Sequence, residues 1–311
     1  MTDGCSDQPT TKMLAAAFNL TDLDPRSLTP WARVFRARDT RGRPVVVKRT
    51  ASQARNALAM AAWTRAAAAA GLPVVAPSSL AATNPQPVGA GWWVVYPWVP
   101  GEVYSGKLEQ VQLAGDLLGR QHALAVDASE LRPYTWPEVD EAAMDADLER
   151  LAARVPDLTV LQSLAVRWRE TSLPALRRAG LPSVGVSSDF KANNLVYTST
   201  GPVLVDPDNG GLEPRLLDLA LAVLLFHYEC PTAPGRLFTL GEWVRFRDAY
   251  TTRVELSVVE CEQWPAALDH MLWEEGTWAL DDSDDDAWSN DRQGGFLHAL
   301  ATTTPDMYPL D

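Results

Sequence analysis

The 311-residue sequence predicts an α+β chain of two unequal lobes, a small N-terminal one with an antiparallel sheet and one helix, and a larger, mainly helical one. Three observations predict it. β-Branched and aromatic runs crowd the first hundred residues, and Pro97-Trp98-Val99-Pro100-Gly101 breaks the last of them. Beyond that break the apolar residues recur at helical spacing, interrupted by one short hairpin. The lobe boundary is expected there, giving 1–98 and 99–311.

The first dozen residues are polar, as fraying chain ends are. Leu14–Leu23 reads either as a small helix or as the approach to the first strands. Arg33–Arg38 and Val45–Arg49 read as two strands joined by the turn-rich Asp39-Thr40-Arg41-Gly42-Arg43. Lys48 closes the run Val45-Val46-Val47. Ala51–Ala70 is alanine-rich without internal Gly or Pro, a strong helix former that Gly71 ends. Trp92-Trp93-Val94-Val95-Tyr96 is a third strand, stopped by Pro97.

In the larger lobe, Leu108–Val126 carries an apolar face of Val111, Ala114, Leu118 and Ala125. An acidic stretch follows at Glu138–Glu149, then a helix over about Leu161–Ala179. Leu195–Tyr197 and Val203–Val205 flank Ser199-Thr200-Gly201-Pro202 and predict a β-hairpin. Leu216-Leu217-Asp218-Leu219-Ala220 opens an apolar helix in which a buried Asp218 requires polar partners. Two more helices are expected over Gly241–Val258 and Cys261–Leu280.

Composition sets limits. The net charge of −13 argues against nucleic acid and anionic membranes as partners. No run of about 18 apolar residues exists, so no transmembrane helix is expected. An N-terminus with acids and no apolar h-region beside a basic end argues against a secretory signal. Cys5, Cys230 and Cys261 fit no metal spacing and suggest a reduced, cytoplasmic protein.

The hairpin is where chemistry concentrates. Asp189 and Asn194 precede its first strand, and Asp206 and Asp208 follow its second. Antiparallel pairing would set Asn194 beside Asp206, two hard oxygen ligands suited to a magnesium ion that also holds phosphates. Asp189, five positions earlier, would then orient an attacking hydroxyl, the spacing of a phosphoryl-transfer site.

Ser187-Ser188-Asp189-Phe190-Lys191-Ala192-Asn193-Asn194 followed by Asp206-Pro207-Asp208 resembles the aminoglycoside phosphotransferase family, relatives of choline kinases and, more distantly, of protein kinases. That family carries H-G-D-x-x-x-x-N, a hairpin, and then an aspartate equivalent to that of D-F-G. The resemblance runs from about Arg33 to about Val223. It implies a bilobal protein-kinase-like fold, ATP (with GTP possible) and Mg2+ as cofactors, and phosphate transfer to a hydroxyl.

Residue by residue, the resemblance implies the following roles. Asp189 is the catalytic acid-base and Lys191 reaches the transferring phosphoryl group. Asn194 and Asp206 hold metal. Lys48 pairs with the nucleotide phosphates. Ser27 and Thr29, in a loop over the phosphates, are candidate contacts, and Trp98 and Val99 offer hinge backbone to adenine, since Pro97 has no N–H. Leu118-Gly119-Arg120-Gln121-His122-Ala123-Leu124 is similar to a family segment, which makes His122 structural. The matching Asp218 would brace the catalytic loop.

Three positions depart from the family. Ser187-Ser188 replaces the His-Gly pair, the loop over residues 27–32 has no glycine, and Met60 stands where a glutamate usually pairs with the strand lysine.

The acceptor is read from a different region. Glu274, Glu275, Trp278, Asp281 and Asp282, with Asp208, mix carboxylates and indoles able to hold a cationic ligand. A solvated acidic face is the alternative. The leading expectation is therefore an antibiotic kinase whose acceptor is an aminoglycoside, an aminocyclitol or a tuberactinomycin-type peptide, and whose state is monomer or homodimer. The alternatives are a small-metabolite kinase of sugar, choline or homoserine type, and a non-catalytic kinase-like binding protein.

Overall fold

The computed structural model describes residues 9–29, 32–50 and 53–310. Pro30 and Trp31 of the expected phosphate loop, Ala51 at the start of the expected helix, Cys5 and most of the polar N-terminal dozen lie outside the described residues.

Helix α1 (Thr11–Phe18) opens the fold, with the Thr10 side chain accepting from the Met13 N–H and Asn19 ending it in left-handed conformation. Strands β1 (Val34–Arg38) and β2 (Pro44–Arg49) follow, then α2 (Ala54–Ala69), β3 (Gln86–Val88) and β4 (Gly91–Pro97). They build one antiparallel sheet of order β1-β2-β4-β3. Its third sequential strand, β3, is too short and Pro-interrupted to stand out in the sequence.

Alternation along β2 sorts the sheet into two faces. Phe35, Val45, Val47, Trp93 and Val95 bury one face against Leu14, Phe18 and Leu20. The register pairs Lys48 with Val94 and Val46 with Tyr96, so these four share the opposite face, toward the rest of the chain. Val75, Val94 and Tyr96 are buried there, with Val99, Val203 and Val205 packed on them.

The remainder is mostly helical. Helix α3 (Leu108–His122) packs on α8 (Leu240–Thr251), and the approach is close because Gly115 and Gly119 lie at the contact. A Cβ on Gly115 would come within 2.2 Å of the Phe246 carbonyl oxygen. Helices α4 (Glu141–Leu151), α5 (Thr159–Arg167) and α6 (Leu173–Ala179) lead to β5 (Ser183–Gly185), which pairs with β8 (Leu212–Pro214). A five-residue π-turn, Trp168–Ser172, joins α5 to α6 within the helix expected over 161–179.

Between β5 and β8 lies the expected hairpin, β6 (Leu195–Thr198) and β7 (Gly201–Leu204). The turn is tighter than expected, since Gly201 (φ 115°) and Pro202 already belong to β7. Two strands alone are marginal in water. Here the chain completes both edges: Glu102 exchanges N–H and C=O bonds with Tyr197, and the Val75 N–H reaches the Leu204 oxygen.

After β8, α7 (Arg215–Leu225) runs through the main core with every residue but Arg215 buried. Helix α9 (Val258–Met271) passes through a π-turn, Leu272–Gly276, into α10 (Thr277–Asp282), and α11 (Asp285–Ser289) and α12 (Asp291–Ala301) close the fold. Among the described residues no helix is long and apolar enough to cross a membrane.

Candidate active site

The loop before the hairpin is braced mainly by its own backbone. The Lys191 N–H donates to the Asp189 oxygen, the Asn194 N–H to the Lys191 oxygen, and the Ala192 N–H reaches the Phe226 oxygen at the end of α7. Ser188, just before Asp189, has φ 51°, a left-handed setting in which most side chains are uncommon. Ser188 holds the position that the H-G-D motif gives to glycine.

This loop and the hairpin gather the expected residues. The Asn194 amide donates to the Asp189 oxygen at 2.8 Å and to Asp189 Oδ2 at 2.9 Å. With its nitrogen so committed, the Asn194 amide oxygen is the atom left to bind a cation. The Val205 N–H bonds the Asn194 carbonyl, which sets Asp206 next to Asn194. Lys191 Nζ lies 3.2 Å from Asp189 Oδ1 and 3.0 Å from Glu229 Oε2, 5.6 Å from the centre of the Tyr228 ring. Burial works against the Lys191 charge, but the Asp189 and Glu229 carboxylates outweigh it and raise the group.

Across the cleft Lys48 is buried, 6% exposed, and hydrogen-bonds Asp206 and, at 2.7 Å, Asp208 Oδ1. Two carboxylates share one ammonium. Asp206 is pushed up to about 7: burial raises it most, Lys48 draws it back and Asp208 adds to the rise. Burial also works to raise Asp208, yet Lys48 holds it below the ordinary carboxylate range. Asp208, expected on the acceptor side, is buried with its Oδ1 on Lys48. Its carboxylate belongs to the lysine.

Other expected contacts divide. The Trp98 N–H donates to the Pro44 oxygen, so it is not available to a base, and the Arg36 guanidinium stacks 4.0 Å over the Trp98 ring. Val99 lies half-buried on the cluster of Val75, Val94 and Tyr96. The Ser27 hydroxyl donates to the Ala32 oxygen at 2.6 Å and accepts from the Val34 N–H, bracing its own turn. With Thr29 it lines a cleft of about 530 Å³ that also takes in Phe35 and Arg49, strand positions on the face away from Lys48.

The acidic tail is also divided. Glu275 and Trp278 line a small cavity of about 40 Å³ with Asp189, Lys191 and Tyr228. Burial raises Glu275, and the Asp189 carboxylate raises it further. Glu274 rises to about 7, chiefly through burial, then through Glu275 and Asp147. Asp281 is taken by Arg150, whose Nε lies 3.1 and 3.0 Å from its two oxygens, while Asp282 is exposed.

His122 and Asp218 are both fully buried, 2.9 Å apart, and Tyr250 completes the set at 3.0 Å. They brace α3, α7 and α8 against one another, away from any cleft. Sequence reasoning missed Glu229, Glu213, Tyr228 and Arg36. Glu213 stands in a mixed polar stretch between Asn209 and Arg215 that carries no local signal. It is 8% exposed and raised to about 7 by burial.

Among the described residues no group of three or more His, Cys, Asp or Glu gathers as a metal cluster. The Asn194 oxygen and Asp206 fit a hard cation that draws its other ligands from substrate and water.

Comparison with known proteins agrees with this geometry. The model of the phosphotransferase enzyme family matches residues 31–253. No curated protein sequence matches significantly. Among solved structures, the chain is similar to the amicoumacin kinase hAmiN in complex with AMP-PNP, Ca2+ and Ami (TM-score 0.66, 18% identity, 96% of this chain and 94% of that one). It is also similar to a microcompartment-associated aminopropanol kinase (0.63, 13%, 94% and 94%) and to a spectinomycin phosphotransferase in complex with ADP and spectinomycin (0.56, 11%, 96% and 97%). With the family model matched over residues 31–253 and the buried lysine bonded to the acids that follow the hairpin, the chain belongs to the phosphotransferase enzyme family and is a small-molecule kinase with an alcohol group as acceptor.

Proposed function

We propose that the protein transfers the γ-phosphoryl group of ATP to a hydroxyl of a small molecule that carries a protonated amine, and that an antibiotic is this acceptor. One observation carries the reading: Glu275 and Trp278 line the same cavity as Asp189 and Lys191. A cavity of about 40 Å³ holds little more than one water-sized group. It suits the reactive end of an acceptor, a hydroxyl with an ammonium close by, while the rest of the molecule lies outside. An indole face and a carboxylate suit an ammonium.

Asp189, held by the Asn194 amide and Lys191, orients the acceptor hydroxyl and takes its proton. The hydroxyl oxygen bonds to the γ-phosphorus as the bond to the bridging oxygen breaks, and ADP leaves. Lys48 and Lys191 supply positive charge on either side of the transferring group. Asn194 and Asp206 would hold Mg2+, which supplies neutralisation of the phosphate charge. Because the Trp98 N–H is committed, Val99 is the hinge residue whose N–H would meet adenine.

The structures that this chain resembles include an amicoumacin kinase, an aminopropanol kinase and a spectinomycin phosphotransferase, and this range supports the class of small-molecule acceptor more than any one compound. A second reading, a kinase for a small amino alcohol, is favoured by the small cavity volume.

The test is phosphate transfer from labelled ATP with Mg2+, across aminoglycosides, spectinomycin, amicoumacin, ethanolamine, aminopropanol and neutral sugars, with Asp189→Asn as control. Transfer to an amine-bearing antibiotic, lost in the control, is expected. Transfer to neutral sugars alone would sink the cationic reading, and transfer to a small amino alcohol alone would select the second.

A further inference from the structure

We propose that Asp208 is the fixed carboxylate that positions Lys48 for the nucleotide, while Asp206 is the one released to the divalent ion. The inference rests on the phosphotransferase reading and deepens it by dividing two adjacent acids between two tasks.

A buried ammonium needs an anion beside it, because taking the charge out of water is costly. Helix α2 cannot supply one. Its sixteen residues, Ala54–Ala69, include no Asp or Glu, and Met60 is buried against Trp63 and Leu131. The neighbouring strand offers none either, since Lys48 pairs with Val94. Among the described residues, only Asp206 and Asp208 are bonded to the ammonium.

These two acids differ in access. The Asp206 side chain is 27% exposed, and it follows Val205, whose N–H bonds the Asn194 carbonyl. The Asp208 side chain is 2% exposed, with its Oδ1 on Lys48 and no hydrogen-bond partner for its Oδ2 among the described residues. When Asp206 turns to an ion, Asp208 is the carboxylate that remains on Lys48. The lysine is therefore set by the loop that follows β7, the same loop that carries the metal residue. Helix α2, the usual source of such an acid in a two-lobed kinase, has no part in it.

The experiment measures binding of a non-hydrolysable ATP analogue by calorimetry, in chelator and across a Mg2+ titration, for the wild-type chain and for Asp208→Asn, Asp206→Asn, Lys48→Met and the Lys48→Met/Asp208→Asn double variant. Asp208→Asn is expected to weaken metal-free binding roughly ten-fold, the scale of one buried charge-assisted hydrogen bond, without changing the Mg2+ concentration that gives half of the metal effect. Asp206→Asn should do the reverse. The double variant should bind no more weakly than Lys48→Met, because Asp208 acts through the lysine. That variant removes the Lys48 and Asp208 charges together and leaves only the more accessible Asp206 without its ammonium, so it keeps the comparison available if Asp208→Asn folds poorly.

Additive losses in the double variant would overturn the proposal. So would a Mg2+ requirement shifted by Asp208→Asn as far as by Asp206→Asn, which would make Asp208 a metal ligand, or an unchanged metal-free affinity. Failure of the underlying reading looks different: the wild-type chain would bind no nucleotide at all.

Discussion

Lys191 Nζ lies 3.0 Å from Oε2 of Glu229, a residue held in left-handed conformation (φ 56°) just beyond α7. The Glu229 carbonyl also takes the Asn193 amide, so one strained residue ties down two members of the catalytic loop. Without that carboxylate, Lys191 keeps Asp189 and the Tyr228 ring and has more freedom to leave the position of the transferring phosphoryl group. Glu229→Gln should lower kcat about ten-fold, the scale of a charge-assisted hydrogen bond, with the KM for ATP unchanged. Lys191→Ala should lower it further. A KM that rises with kcat intact would mean that Glu229 acts on binding and has no bearing on Lys191.

Glu275 is raised by burial and by Asp189, so in the ligand-free cleft its charge is disfavoured. An acceptor ammonium reverses this. Glu275→Gln should raise the KM of an amine-bearing acceptor roughly ten-fold and leave the KM of ATP as it is. Trp278→Ala should act in the same direction and less strongly. Equal effects on a charged acceptor and on an uncharged analogue would show that Glu275 shapes the cavity without reading charge.

How much of this was legible depends on distance along the chain. That Asp189, Asn194 and Asp206 come together could be read because their spacing and the intervening hairpin are local. The Lys48 strand could be read because three β-branched residues precede it. The partners that decide the rest are remote. Asp208 reaches Lys48 across 160 positions and Glu229 reaches Lys191 across 38, and neither carries a local signal. The acidic tail misled for the same reason. Asp281 looked available in the sequence, but Arg150, 131 residues earlier on α4, takes both its oxygens. Ser27 looked like a phosphate contact, but its hydroxyl closes its own turn with Ala32 and Val34. Polar residue types mark where chemistry is possible, and long-range packing decides which of them are already committed.

Glu213 gives a prediction about pH. It is 8% exposed and its carboxyl rises from an ordinary 4.5 to about 7, mainly through burial. A carboxyl whose folded value lies above its unfolded value makes the folded state hold more protons between the two, so its contribution to stability falls as pH rises from about 4.5 through about 7. Glu213→Gln removes a buried charge at high pH and little at low pH. The variant should therefore melt above the wild-type chain at pH 8 and close to it at pH 5, by scanning calorimetry. A variant that melts lower at pH 8 would mean that the ionised Glu213 is well partnered in the fold.

His122 and Asp218 supply the stability counterpart. Both side chains are fully buried, and the ring joins Asp218 through Nε2 and Tyr250 through Nδ1, linking three helices of the larger core. Asp218→Ala leaves a ring nitrogen in the core without a partner and opens a void, which costs about 3 kcal/mol when a buried pair loses one member. Asp218→Asn keeps an oxygen acceptor of nearly the same shape and should cost less. The expected signature is a melting temperature several degrees lower for Asp218→Ala, with kcat and both KM values unchanged in assays run well below melting. If kcat falls in Asp218→Asn while its melting temperature holds, the brace extends to the catalytic loop, and the orphaned Asp218 Oδ1 is where that connection would be sought.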